Sequence, residues 1–400
     1  MADMELKREG GSSILRTGDF PLPTNFEEFN EQRRASFLKV KEFKQNGGRL
    51  VGFLCSYTPI EIIEAAGASC VGLCGTSDEV IPKAEEVLPA NLCPLIKSTF
   101  GFAYSRKCPF TYFSDVIVGE TTCDGKKKMY ELLNDIKPTY ILHLPQSRER
   151  AYERDGWYEE LKLFKAYLED LYGITISDDD LREAVRRRNR LRQAQLDLFE
   201  LQRADPPVIG GVELMSTMFA GTFSFDIEDY TRKLEALAAE RRAEAARGES
   251  KVKPGSKRIL LTGCPVGGVI NKVGRTIEEH GGVVVCQDDC SGERTCQMMI
   301  DPDAPDILRA IADRYLSINC SIMTPNTGRF ENTKAMCEKY KVDGVVDCVL
   351  TACHTFNVEA AKMERAMDEI GMPYLKVVTD YSQGDMGQVE TRLEAFIETL

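Results

Sequence analysis

Short apolar runs that each end in a cysteine, with a helix start close behind, recur through this chain and constrain its fold more than any other feature. "RLVGFLC" ends at Cys55, "SCVGLC" at Cys74 and "SDVIVGETTC" at Cys123. After residue 257 the pattern returns: "KRILLTGC" ends at Cys264, "VVVCQDDC" at Cys290 and "VDGVVDCVLTAC" at Cys353. "PTYILHLP" and "MPYLKVVTDY" add a further strand to each half. Strands alternating with helical patterns build βαβ units and a parallel sheet. The expected fold is α/β: two doubly wound, Rossmann- or flavodoxin-like parallel-sheet domains bridged by a helical segment. The expected boundaries are an N-terminal helical segment at 1–48, a first α/β domain at 49–149, a helical bridge at 150–250 and a second α/β domain at 257–400.

The bridge shows why it is helical. "WYEELKLFKAYLEDLYG" and "SDDDLREAVRRRNRLRQAQLDLFELQ" carry helical periodicity, and Ser177 with acids behind it is a helix start. Residues 244–257, "AEAARGESKVKPGS", form a charged linker. In "SYTPIEIIEAAGA", Thr58 and Glu61 have capping-box spacing and Pro59 stands at the first helical position.

In an open α/β sheet, ligands bind beyond the carboxyl ends of the strands. Cys55, Cys74, Cys123, Cys264, Cys290 and Cys353 all fall there, and Cys93 and Cys320 lie in loops that reach the same edge. A helix N-terminus lowers a thiol's pKa and favours negative charge, so these are plausible thiolate donors. The other six of the fourteen cysteines (Cys70, Cys108, Cys286, Cys296, Cys337 and Cys348) read as packing. With no export signal in the N-terminal sequence, the thiols are expected to be reduced and the protein cytoplasmic. Zinc fingers and ferredoxins use tight C-x-x-C pairs, and none occurs. Ligands gathered from separate strands imply a site assembled by the fold. With three histidines in the chain, mixed Cys/His zinc chemistry is disfavoured.

The net charge of -12 speaks against nucleic acid, and no apolar run approaches the ~18 residues of a membrane span. Arginines crowd residues 186–192, which read as a solvated or internally paired face. Lys126, Lys127 and Lys128 open a helix, where cations oppose the dipole; either they face water, or at least one faces an anionic cluster or an acidic partner.

"CSYTPIEIIEAAGA", "LPANLCPLIKSTFGFA", "VGETTCDGKKKMYELL", "LTGCPVGG", "ACHTFNVE" and "VVTDYSQGDMGQVETRLEAFIE" together resemble the 2-hydroxyacyl-CoA dehydratase and benzoyl-CoA reductase superfamily, most nearly its double-cubane cluster branch. The likeness runs from about residue 20 to the C-terminus. It implies three cysteines, Cys93, Cys123 and Cys353, holding a [4Fe-4S] cluster. The double-cubane branch implies an [8Fe-9S] group with three further thiolates, for which Cys264, Cys290 and Cys320 are chosen and Cys55 and Cys74 held in reserve. It also implies a homodimer, anaerobic chemistry, and a separate ATP-hydrolysing [4Fe-4S] activator. No G-x-x-x-x-G-K-[ST] phosphate loop occurs in this chain.

The resulting expectation is a low-potential reductase acting on a small substrate. His354, Glu61, Glu120 and Tyr57 are candidate proton donors, and Lys126 and Thr122 candidate contacts to the cofactor; Glu61 competes with its capping role. Three readings remain beside it: a 2-hydroxyacyl-CoA dehydratase with a single [4Fe-4S] cluster, a non-catalytic electron-storing iron–sulfur protein, and a thiol-dense zinc protein.

Overall fold

A computed structural model describes residues 20–400. Residues 1–19 of the expected N-terminal helical segment lie outside it; the remainder of that segment contains the helix Glu31–Gln45, capped by Asn30. Two four-stranded sheets follow, parallel throughout. The first has the order β2-β1-β3-β4, with β1 Leu50–Phe53, β2 Ser69–Gly72, β3 Val116–Glu120 and β4 Thr139–Leu142. The second repeats it as β6-β5-β7-β8, with β5 Lys257–Gly263, β6 Gly282–Asp288, β7 Gly344–Leu350 and β8 Tyr374–Thr379. The expected pair of parallel-sheet α/β units is present.

Strands buried on both faces explain the near-continuous apolar runs. Every residue of β3, β6 and β7 is buried. Four helices fill the stretch between the sheets: Ala151–Tyr172, Asp178–Glu200, Gly211–Gly221 and Ile227–Ala246. Ser177 caps the second as expected, its hydroxyl accepting from the Asp180 N–H at 3.2 Å. Trp157, Leu161, Phe164 and Leu168 turn one face of the first helix into the core of the β1–β4 sheet. The second helix ties to the C-terminal half through Asn189, whose amide donates to the Ile300 carbonyl at 2.7 Å.

The capping box expected at Thr58 and Glu61 does not form. Pro59 is the N-cap of the helix Ile60–Ala65 and no side chain caps it. Thr58 donates its hydroxyl to Glu120, and Glu61 turns to Arg192. Tertiary partners for a buried carboxylate outweigh a local cap.

Candidate functional site

The two halves enclose one cavity of about 600 Å³. Eight cysteines line it: Cys55, Cys74, Cys93, Cys123, Cys264, Cys290, Cys320 and Cys353. These are the eight that sequence position placed at the carboxyl edge. The other six do not line it.

The chain's local design puts them there. Cys93, Cys123 and Cys353 are the N-cap residues of the helices Pro94–Tyr104, Asp124–Asn134 and His354–Asp368. Cys55, Cys74, Cys264 and Cys290 follow β1, β2, β5 and β6 within two residues. Cys320 lies in the loop behind the helix Ile307–Leu316. The thiols fall into groups. Cys353 is held down by its neighbours Cys264 and Cys93, whose own thiols are pushed up, Cys93 first by Cys353 and Cys264 first by burial. The Leu350 N–H adds a bond to the Cys264 sulfur at 3.3 Å. Cys55, Cys290 and Cys320 lie within electrostatic reach of one another; burial first, and then these neighbours, push the Cys290 thiol up. Ser56 reaches Cys290 Sγ at 3.9 Å, joining the end of β1 to the second sheet. Each group therefore takes one thiol from the first half and two from the second.

Among the described residues no set of three or more His, Cys, Asp or Glu side chains closes on a single metal ion. A polynuclear cluster spreads its thiolates over several irons, and its bridging sulfides accept hydrogen bonds. The polar groups left over suit that arrangement. Thr122 Oγ1 and Ser321 Oγ are buried, unpartnered and on residues that line the cavity. Arg294 Nη1 is likewise without a partner, and the charge of Arg294 is felt by Cys290.

Lys126 is buried beside the same wall, its ammonium donating to the Leu54 carbonyl at 2.8 Å. Against the downward push of burial, Tyr130, Cys55, Cys74 and Glu120 raise its pKa. Lys127 instead pairs with Asp124 at 2.7 Å, and Lys128 pairs with Glu131 at 2.5 Å on the exposed face. The lysine run thus divides: Lys126 is buried beside the thiols, Lys127 is half-buried at the cavity edge and Lys128 faces water.

The candidate proton donors also separate. His354 lines the cavity and is solvent-exposed. Tyr57, Glu61 and Glu120 are fully buried and stand behind the wall. Tyr57 donates to the Ile318 carbonyl at 2.6 Å. Burial lifts Glu120 to about 7, with Lys126 and Thr58 opposing. Glu61 is held at about 2 against burial by Arg192, Arg314 and the Tyr315 hydroxyl.

The arginine run is not simply a solvated face. Arg186, Arg187 and Arg190 do pair at the surface with Asp303, Glu183, and Glu228 and Glu235. Arg188 and Arg192 point inward to Glu64 (2.5 Å) and Glu61, and both line the cavity. Their i, i+4 spacing puts them on one helix face, and that was the available signal. Arg294 and Arg314 carried no comparable one.

An α/β protein with two like-ordered parallel sheets and a shared thiol-lined cavity defines the class. The chain belongs to the family described as "2-hydroxyglutaryl-CoA dehydratase, D-component", which matches residues 55–400, and so falls in the 2-hydroxyacyl-CoA dehydratase and benzoyl-CoA reductase superfamily that its motifs resemble. It is 44% identical to the "Putative dehydratase subunit YjiM" of Escherichia coli K12 over 380 residues, covering 95% of this chain and 98% of that protein. It is 24% identical to the (R)-phenyllactyl-CoA dehydratase beta subunit of Clostridium sporogenes, covering 90% and 94%. It is 22% identical to one of the subunits of benzoyl-CoA reductase from Thauera aromatica, covering 88% and 91%. Relatives over nearly full length are thus named as dehydratase and reductase subunits. No helix among the described residues is long and apolar enough to cross a membrane.

Proposed function

We propose that this chain is the cluster-holding subunit of a low-potential reductase acting on a small substrate at an [8Fe-9S] double-cubane group. It works anaerobically as a homodimer, and a separate ATP-hydrolysing iron–sulfur activator supplies its electrons. The observation that carries this reading is the gathering of eight thiols from both halves around one cavity, six of them in two groups of three. Cys93, Cys123 and Cys353 hold one unit. Cys55, Cys290 and Cys320 hold the other, and Cys264 abuts the first; this amends the choice of Cys264 made from sequence. When bound, the group supplies one-electron reduction at low potential.

The chain's own residues supply the rest. Leu92, Leu95, Ile96 and Phe356 give the cavity apolar walls that exclude water. Lys126, Thr122 and Arg294 present donors toward the sulfur-lined side and oppose its negative charge. His354, at the start of its helix and open to solvent, holds a proton at a ring nitrogen for delivery inward.

A second reading is supported by the relatives' names: a 2-hydroxyacyl-CoA dehydratase with a single [4Fe-4S] cluster. Iron and sulfide per chain after anaerobic purification separate the two, with about eight irons expected for the double unit and about four for the single one. Reduction of a small substrate by protein, activator and ATP then separates an enzyme from an electron carrier; zinc in place of iron would end both readings.

A further inference from the structure

The cavity wall also carries a buried cation with no ion pair of its own among the described residues. Arg314 stands in the last turn of the helix Ile307–Leu316 and lines the cavity, yet it is only 7% exposed. Its Nη2 donates to the Thr295 carbonyl, its Nε has no partner, and no carboxylate among the described residues pairs with it. The guanidinium stacks on the Tyr315 ring, 4.5 Å from its centroid. The one carboxylate that feels its charge, Glu61, forms its ion pair elsewhere. Glu61 is engaged by Arg192 and by the Tyr315 hydroxyl at 2.7 Å. Glu64 is engaged by Arg188. Three guanidiniums thus share two carboxylates on this wall, leaving one positive charge over.

A buried charge that nothing pairs is costly, and proteins tolerate it where a ligand completes it. Burial and the nearby Arg192 lower the pKa of Arg314 to about 10, which still leaves it charged at neutral pH. The same cavity is lined by the apolar Leu191, Met218, Phe219 and Phe223. A planar guanidinium matches a planar carboxylate through parallel N–H donors. We propose that the cavity takes a small substrate bearing a free carboxylate, and that Arg314 is the counter-ion that orients its other end toward the thiol-lined side.

This rests on the reductase reading for what happens at the other end, but the binding claim can be tested without turnover. Butyrate, crotonate, their amides and inorganic phosphate are titrated calorimetrically into the anaerobically purified full-length protein, with iron counted on the same sample. The expected result is binding of the carboxylates and not of the amides, with phosphate weaker than the carboxylates. Arg314→Gln should weaken carboxylate binding at least about tenfold while keeping the wild-type iron content. Arg314→Lys, which keeps the charge and loses the fork, should fall between. The wild-type comparison of acid with amide needs no variant to fold. Equal binding of acid and amide, absence of carboxylate binding, tighter phosphate binding, or an Arg314→Gln protein that binds as wild type would each overturn the assignment. Carboxylate binding to a protein lacking iron would leave the site standing and sink the reductase reading instead.

Discussion

The two sheets share a strand order and a distribution of thiols, but they treat charge differently. Behind β1, β2 and β3 stand Cys55, Cys74 and Cys123; behind the equivalent β5, β6 and β7 stand Cys264, Cys290 and Cys353. Each half adds one loop cysteine, Cys93 or Cys320, between its second and third strands. Beside its β6 cysteine the second half buries an ionic network. Asp288 takes Arg294 Nε at 2.8 Å and the Thr262 hydroxyl at 3.1 Å, and Arg329 lies between Asp288 and Glu359. Near its β2 cysteine the first half has instead the partly exposed Arg33–Glu79–Lys107 cluster. Repetition of strand, thiol and helix therefore fixes where ligands arrive. What fills the space behind them is particular to each half: the second carries its charged frame within itself, around Asp288, whereas the buried Glu61 and Glu64 of the first are paired by Arg192 and Arg188 of the helical bridge, and Lys126 adds a cation beside the thiols.

The comparison can be broken at its thiols first. Cys353→Ser, in the group with Cys93 and Cys264, should remove more than half of the bound iron in an anaerobic preparation. Cys286→Ser, buried within β6 and away from the cavity, should leave iron unchanged. A smaller and sharper contrast uses the equivalent positions behind β1 and β5. Cys55→Ser should cost about half the iron and Cys264→Ser much less; the reverse order would return Cys264 to the second unit. Next comes the charged frame. Asp288→Ala strands Arg294, which is 1% exposed, so chemical denaturation should register a loss of about 3–5 kcal/mol.

The smallest effect lies at the surface of the first half. Hydrogen bonds from Arg33, then Lys107, hold Glu79 at about 2 against an ordinary 4.5. A depressed carboxylate stabilises the fold above its unfolded pKa and loses that contribution as pH falls between these values. Glu79→Gln should flatten this part of the stability profile, by under about 1 kcal/mol because the carboxylate is 39% exposed and screened. A drop matching that of Asp288→Ala would erase the contrast between the halves.

The fold was legible because a strand buried on both faces must be apolar along its length, and Val116–Val118 and Val283–Val285 announce themselves. The thiols were legible because position at a carboxyl edge is set by topology. The charged wall was not. Thr58 and Glu61 have the spacing of a cap, and only the arrival of Arg192 and Tyr315 from distant helices turns Glu61 inward. Arg314 sits on a helix whose pattern reads as ordinary; its lack of an ion pair is a property of three segments meeting, which no local window contains. The same holds for pairing among the thiols. Cys55 joins Cys290 and Cys320 across more than two hundred residues, and sequence spacing says nothing of which sulfurs meet.

Crystals grown without oxygen and measured on either side of the iron absorption edge would test the central claim most directly. The account predicts anomalous density in the cavity beyond the two sheets, in two adjoining lobes, one against Cys93, Cys123 and Cys353 and the other against Cys55, Cys290 and Cys320. Iron density elsewhere, or a cavity whose sulfurs bear none, would contradict it.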